Sequence, residues 1–195
     1  MNLFYYPGAC SLADHIALIE TGLSYRLCSI GREKKTEDGR DFLLINPKGY
    51  IPTLELEDGT ILTENQVILN YIAERSGKLL PKDGIDRWRT LEALAFMSSE
   101  IHGNYHPFFK DFPEPEKARA REKLTKAFAI LADQMADKAF LVSNDMTIAD
   151  CYLFWVVMVS PKSGVELPDC LRNCFDRMKT RPSVIQAFAE EGLSQ

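Results

Sequence analysis

One of the five cysteines, Cys10, lies in the run Leu3-Phe4-Tyr5-Tyr6-Pro7-Gly8-Ala9-Cys10-Ser11-Leu12, where a strand pattern, a tight turn and a helix start meet. The first-turn N–H groups of a helix have no partner inside it, and with the aligned peptide dipoles they stabilise a nearby anion such as a thiolate. A free thiol pKa of about 8.5 falls to roughly 3.5–7.5 at such a terminus or beside a cation. Against this stands the ordinary fate of an unpaired cysteine, that of a small buried hydrophobe. Position alone leaves both readings open. His102 and His106 stand one helical turn apart, and imidazole titrates near neutral pH. A His-x-x-x-His pair also suggests a metal, but no third ligand is placed by the sequence, so no metal is expected. His15, inside the first helical pattern, reads as structural. Cys28, Cys151, Cys170 and Cys174 read as core or helix-surface residues; the last two share a helix face at i,i+4 without the further ligands that zinc needs.

The elements that must position these groups are those of an ordinary globular chain. In 195 residues, 46% are hydrophobic and 26% charged, and the net charge is −5. That balance, with no dense Lys/Arg stripe, argues against nucleic acid as a partner. No apolar run approaches the roughly 18–20 residues of a membrane span. The chain opens directly on a strand pattern, so no export signal is expected. An odd cysteine count without paired spacing fits the reducing cytoplasm.

After the first strand, Leu12, Ile16 and Ile19 recur at helical spacing up to Gly22, and Tyr25-Arg26-Leu27-Cys28-Ser29 alternates as a strand. This is a parallel strand-helix-strand unit. A charged loop and a short helix near 39–45 lead to the turn formers Asn46-Pro47-Lys48-Gly49. Two strands then flank Glu57-Asp58-Gly59 as an antiparallel hairpin, and a helix follows from Asn65 to Arg75. Beyond residue 84 strand signals stop. Helices are expected over about 85–110, 114–138, 147–159, 169–179 and 182–190, punctuated by prolines. The fold class is therefore α/β plus all-α: a mixed four-stranded domain over 1–77, then a helical domain over 85–195. Within the latter, Thr147 and Asp150 form a variant capping box at the start of a helix apolar nearly all round.

The cysteine at the first strand-to-helix junction and the proline opening the third strand resemble the thioredoxin-like fold. Joined to a helical second domain, the chain resembles a cytosolic glutathione transferase, most closely the bacterial beta class. The matching stretches are Phe4 to Ala13, Asn46-Pro47-Lys48-Gly49-Tyr50-Ile51-Pro52, Leu62-Thr63-Glu64-Asn65, Glu100-Ile101-His102 and Met146 to Phe154. Five such stretches in order cover essentially the whole chain.

The resemblance implies glutathione as co-substrate and Cys10 and His102 as catalytic residues. It also implies a cis Ile51-Pro52 bond that exposes the Ile51 backbone to the cysteinyl unit of the tripeptide, as a short strand addition. Glu64 would meet the α-ammonium, and Asn65, through its N–H and side-chain donors, the γ-glutamyl carboxylate; helix capping is the competing role for both. Lys35 would offset the glycyl carboxylate, against the alternative of an unpartnered surface lysine. Ser99 is a further polar contact. The chain departs from the family pattern at Ala95 and Gly103, and Ala13 stands where a second redox cysteine would be, so glutathione itself would be the second thiol. The resemblance further implies a homodimer and small hydrophobic electrophiles as second substrates. Phe108, Phe109, Phe112 and Trp155 either line the electrophile pocket or, as is usual for aromatics at helical spacing, pack as core. The alternative function is a non-enzymatic, transferase-like stress or transcription-associated interaction protein.

Overall fold

The computed structural model describes residues 1–194. The chain forms two compact units, Met1–Leu79 with the chain from Arg181 onward, and Leu80–Thr180. In the first, strands β1 (Asn2–Tyr5), β2 (Arg26–Ser29), β3 (Thr53–Glu55) and β4 (Ile61–Thr63) make one sheet of order β2-β1-β3-β4. β1 runs parallel to β2, with Leu3 opposite Leu27, and antiparallel to β3, with Leu3 opposite Leu54. Leu54 in turn faces Leu62 across the β3–β4 hairpin. That hairpin closes as its Asp-Gly signal requires, with Gly59 at φ 84° and Asp58 accepting from the Thr60 N–H.

As the central strand, β1 is buried at Leu3, Phe4 and Tyr5. Phe4 packs with Cys28, Ile30 and Phe42, and Ile51 closes against this cluster. Phe42 opens the short helix α2 (Phe42–Ile45), whose N-cap Asp41 accepts from the Leu43 N–H. Helix α1 (Ser11–Thr21) packs against β1, against α3 (Asn65–Ser76) and against the last helix, α9 (Pro182–Glu191).

The second unit holds α4 (Gly84–Phe96), α5 (His106–Phe109), α6 (Glu114–Met135), α7 (Ile148–Met158) and α8 (Asp169–Lys179). The single helix expected over 85–110 is interrupted by a π-turn over Met97–His102 and a 3₁₀ turn over Gly103–Tyr105. Met97, Ile101 and Tyr105 are all fully buried. A four-residue repeat drifts by about 40° per step on a 3.6-residue helix, and the wider π-turn keeps it facing inward. The Tyr105 hydroxyl then donates to the Val156 carbonyl at 2.7 Å, fixing this stretch to α7.

The expected capping box is present: Thr147 and Asp150 satisfy each other reciprocally at the start of α7. Asp150 is fully buried, and besides the Thr147 N–H its carboxylate accepts the Leu141 N–H at 2.8 Å. It therefore ties the 140–147 loop to α7, the helix on which α4 and α8 pack. α7 is buried from Ile148 to Val157, as its all-round apolar pattern requires.

The expected boundary of the helical domain, 85–195, needs correction at its end, because α9 belongs to the first unit. Buried polar groups hold it there. His15 lies fully buried on α1, with Nδ1 3.0 Å from Glu191 and Nε2 2.9 Å from Glu190. Arg181 and Ser183 both bond the Glu20 carboxylate, at 2.6 and 2.7 Å. Helical periodicity finds α9 but carries no information on which core it joins.

Asp150→Ala removes the acceptor of two buried backbone N–H groups, so it should destabilise by roughly 3 kcal/mol, since an orphaned buried donor costs about 1–3. Thr147→Ala should cost less, about 0.5–2 kcal/mol for a lost cap. Urea denaturation of both variants checks the order as well as the size.

Candidate functional site

Cys10 is the N-cap residue of α1, at the end of a turn in which the Ala9 N–H donates to the Tyr6 carbonyl. Gly8, at φ 70°, takes a backbone conformation that side chains disfavour, and its N–H donates to Glu191 at 2.9 Å. The turn is thus pinned from α9, a contact that no local motif announces. Ile51-Pro52 is cis, as the resemblance implies. The Cys10 thiol donates to the Ile51 carbonyl, with Sγ···O at 3.6 Å.

This thiol is protonated. The backbone at Cys10 and Ser11 favours a thiolate, as a helix start should, but burial and the nearby Asp14 outweigh it, and the Cys10 pKa is pushed up to about 12. Only 7% of the residue is exposed. Of the two readings that position leaves open, burial favours the neutral thiol: the helix terminus is present, and desolvation outweighs it.

An open cleft of about 340 Å³ adjoins this corner, lined by Tyr6, Ala9, Ile30, Gly31, Arg32, Lys34 and Ile51. Its cations are Arg32 and Lys34. Lys35, which the resemblance sets toward the glycyl end of the tripeptide, is exposed and pairs through its backbone with Asp41, outside the lining. The cause is local: Lys34 sits at φ 58° and its Nζ donates to the Gly49 carbonyl at 2.6 Å, which turns the loop at that residue. A charged run identifies the loop but cannot say which of its cations faces inward.

Glu64 occupies the N-cap of α3 at φ 71° without capping it through its side chain. Its carboxylate is exposed and meets Lys48 Nζ at 2.7 Å. Asn65 differs from expectation. Its side chain is buried and turned toward α1, donating to the Cys10 carbonyl at 2.8 Å and to Asp14 at 3.0 Å. What α3 offers an anion is the backbone N–H of its first turn.

In the second unit, His102 ends the π-turn with Nδ1 2.7 Å from the Tyr152 hydroxyl and its ring edge-on to Trp155, centroids 4.4 Å apart. Burial lowers its pKa to about 4, so the imidazole is neutral at neutral pH. Between about pH 6.5 and 4 the unfolded chain takes up a proton that the folded chain refuses, so this stabilising contribution is lost as pH falls through that window. Ser99 is exposed on the same turn, its hydroxyl 3.5 Å from the Phe96 carbonyl. His106 packs edge-on against Phe112. Among the described residues no three His, Cys, Asp or Glu side chains form a metal-holding group. Trp155 is buried as core, whereas Phe109 and Phe112 are substantially exposed.

A four-stranded mixed sheet, a thiol at the first helix start facing a cis-proline carbonyl, and a helical second unit together define the thioredoxin-like transferase architecture. Comparison with known proteins agrees. Residues 9–75 match the glutathione S-transferase N-terminal domain and residues 93–175 its C-terminal domain. Glutathione S-transferase GstA of Escherichia coli O157:H7 is 38% identical over 99% of this chain and its own full length. A sphingomonad glutathione S-transferase solved in complex with glutathione is 38% identical, with a TM-score of 0.92 over the whole of both chains. The beta class glutathione S-transferase of Sphingomonas chungbukensis is 36% identical, also at 0.92 over the whole of both chains. The chain belongs to the glutathione S-transferase family and is a glutathione transferase, with bacterial beta class enzymes among its structural neighbours. No described helix is long and apolar enough to cross a membrane.

Because burial holds the Cys10 thiol protonated, its alkylation by iodoacetamide in the ligand-free protein should rise with pH well past the free-thiol value of about 8.5. Peptide mass spectrometry resolves Cys10 from the other cysteines, and a midpoint at or below the free value would contradict the geometry.

Proposed function

We propose that the Cys10 corner binds glutathione and that Cys10 carries glutathione-dependent thiol exchange alongside conjugation to small apolar electrophiles. The supporting observation is the Cys10 Sγ–H to Ile51 carbonyl bond beside the cis-proline. It sets a thiol and the Ile51 backbone on one slot, and an extended peptide's cysteinyl unit has the complementary N–H and C=O. Glu64 receives the α-ammonium by exchanging its surface partner Lys48, and the first turn of α3 at Asn65 receives the γ-glutamyl carboxylate. Arg32 and Lys34, with Lys35 beside them, supply positive charge for the glycyl carboxylate.

Binding also acts on the thiol. When the ligand's N–H takes the Ile51 carbonyl, the bond that favours the neutral thiol is shared or lost, which favours ionisation. In exchange, the Cys10 thiolate attacks a glutathione mixed disulfide, forms a Cys10–glutathione disulfide and releases the other thiolate. A second glutathione thiolate then attacks that bond, leaving glutathione disulfide and free Cys10. In conjugation the glutathione thiolate displaces a leaving group such as chloride from carbon, and the protein supplies orientation and electrostatic stabilisation.

His102 is proposed as a second catalytic residue, with Ser99 as a polar contact on its turn. If the His102 Nδ1–H donates to Tyr152, the free Nε2 lone pair is the base; the opposite tautomer makes Nε2 a donor. Further elements of the proposal are a homodimer in the cytoplasm and exposed Phe109 and Phe112 as part of the electrophile surface.

Cys10→Ala should abolish disulfide reduction and retain conjugation of a chloronitrobenzene; full retention of both would overturn the role of the thiol. Glu64→Gln should raise the glutathione KM roughly tenfold, the scale of one lost charge-assisted bond. Absence of any thermal shift with millimolar glutathione would remove the slot itself.

A further inference from the structure

Asp14 lies one turn into α1, fully buried, and forms no ion pair among the described residues. Its Oδ2 accepts from Asn65 Nδ2 at 3.0 Å, and the same nitrogen donates to the Cys10 carbonyl at 2.8 Å. Asp14 Oδ1, Asn65 Oδ1 and Ser11 Oγ are buried without a hydrogen-bond partner. Three open polar atoms around one helical turn are unusual, because buried polar groups are nearly always paired. A carboxylate given a single amide N–H in such surroundings is poorly solvated. Burial accordingly holds the Asp14 carboxyl well above the usual carboxylate range, and Asp14 is the second largest influence, after burial, that opposes a thiolate at Cys10.

The surrounding charges do not relieve this. From α9, Glu191 and Glu190 face His15, and Glu191 also holds the Gly8 N–H. Glu20, further along α1, is paired with Arg181. On α3, Glu64 is exposed with Lys48, and β1 contributes Tyr5, itself raised by burial. Among the described residues no cation therefore meets Asp14 or Cys10. The start of α1 carries the equivalent of about half a positive elementary charge, less than a single anion brings.

We propose that Asp14 is a positioning residue for the thiol chemistry at Cys10: through Asn65 it fixes the Cys10 backbone, and through its own charge it decides whether a second anion can form at the start of α1. With Asp14 neutral, the helix start is open to a thiolate. With Asp14 ionised, that place is taken. The two acids are a coupled pair, in which ionisation of either opposes the other. This inference rests on the proposed reading of Cys10 as the reacting thiol, but the two fail separately: activity of Cys10→Ala tests that reading, whereas alkylation of the thiol tests this one.

The experiment is iodoacetamide alkylation of Cys10 against pH in the full chain, with each variant's melting temperature recorded. Asp14→Asn and Asp14→Ala should move the profile to lower pH and alkylate about tenfold faster at pH values where the wild-type Asp14 carboxyl is ionised, the equivalent of one pKa unit. Asn65→Ala keeps the carboxyl and should accelerate less than either Asp14 variant. Profiles of the Asp14 variants that superimpose on wild type overturn the proposal, and so does equal acceleration by Asn65→Ala, which would mark loosened packing. If neither Asp14 variant folds, the coupling is read in reverse on the wild-type protein. The Asp14 carboxyl, followed by its infrared band, should titrate at higher pH when Cys10 carries the charged iodoacetate adduct than the neutral iodoacetamide one. Equal midpoints overturn it.

Discussion

Helix α1 has no solvent face along most of its length, and the structure of the first unit follows from having to satisfy what it carries. Asp14 and His15 are fully buried within it, next to Leu12, Ala13 and Ile16. Apolar packing against β1 and α3 accounts for the latter three, at about 25 cal/mol per Å² of apolar surface removed from water. The polar pair needs partners from elsewhere in the chain. Asn65 reaches Asp14 from α3, and Glu190 and Glu191 reach His15 from α9. Both elements also bond the backbone at the thiol, Asn65 at the Cys10 carbonyl and Glu191 at the Gly8 N–H. Folding the helix and shaping the Cys10 turn are thus parts of the same set of bonds.

Two effects compete at Cys10 and their magnitudes decide the outcome. A helix start contributes fractions of a kcal/mol to about 2 for a nearby anion. Taking a thiolate out of water into a corner that is 93% buried, beside a second acid, costs more, and the neutral thiol donates to Ile51 instead. Burial therefore favours the neutral thiol at this position. Chemistry at this position depends on a change in its surroundings, and the Ile51 carbonyl is the group both a thiol and an extended peptide can use.

The helical unit solves a different problem. α7 is apolar nearly all round, so it is buried as the centre of its unit and its N-terminus has no access to water. Thr147 and Asp150 supply the missing acceptors, and the π-turn over Met97–His102 keeps three large side chains on its neighbour facing inward. His102 emerges from that same turn against Tyr152 and Trp155, two residues of α7. Its neutral state is a consequence of sitting among the groups that close this core.

Local chemistry made much of this legible before folding. Alternation and helical spacing placed all four strands and the main helices, Asp58-Gly59 placed the hairpin turn, and Thr147-Asp150 placed the cap, because each depends on residues within a few positions of one another. The motif order from Cys10 through Ile51-Pro52 to Glu64-Asn65 pointed to the transferase family for the same reason. What depends on distant residues was not legible. Lys34 and Arg32, not Lys35, line the cleft beside Cys10, Asn65 turns its amide to α1, and α9 joins the first unit. The sequence by itself determined that a thiol stands at a helix start, since that is a matter of neighbouring residues. Only the tertiary structure decided its protonation, since desolvation and the charge of Asp14 arise from what the whole unit packs around it.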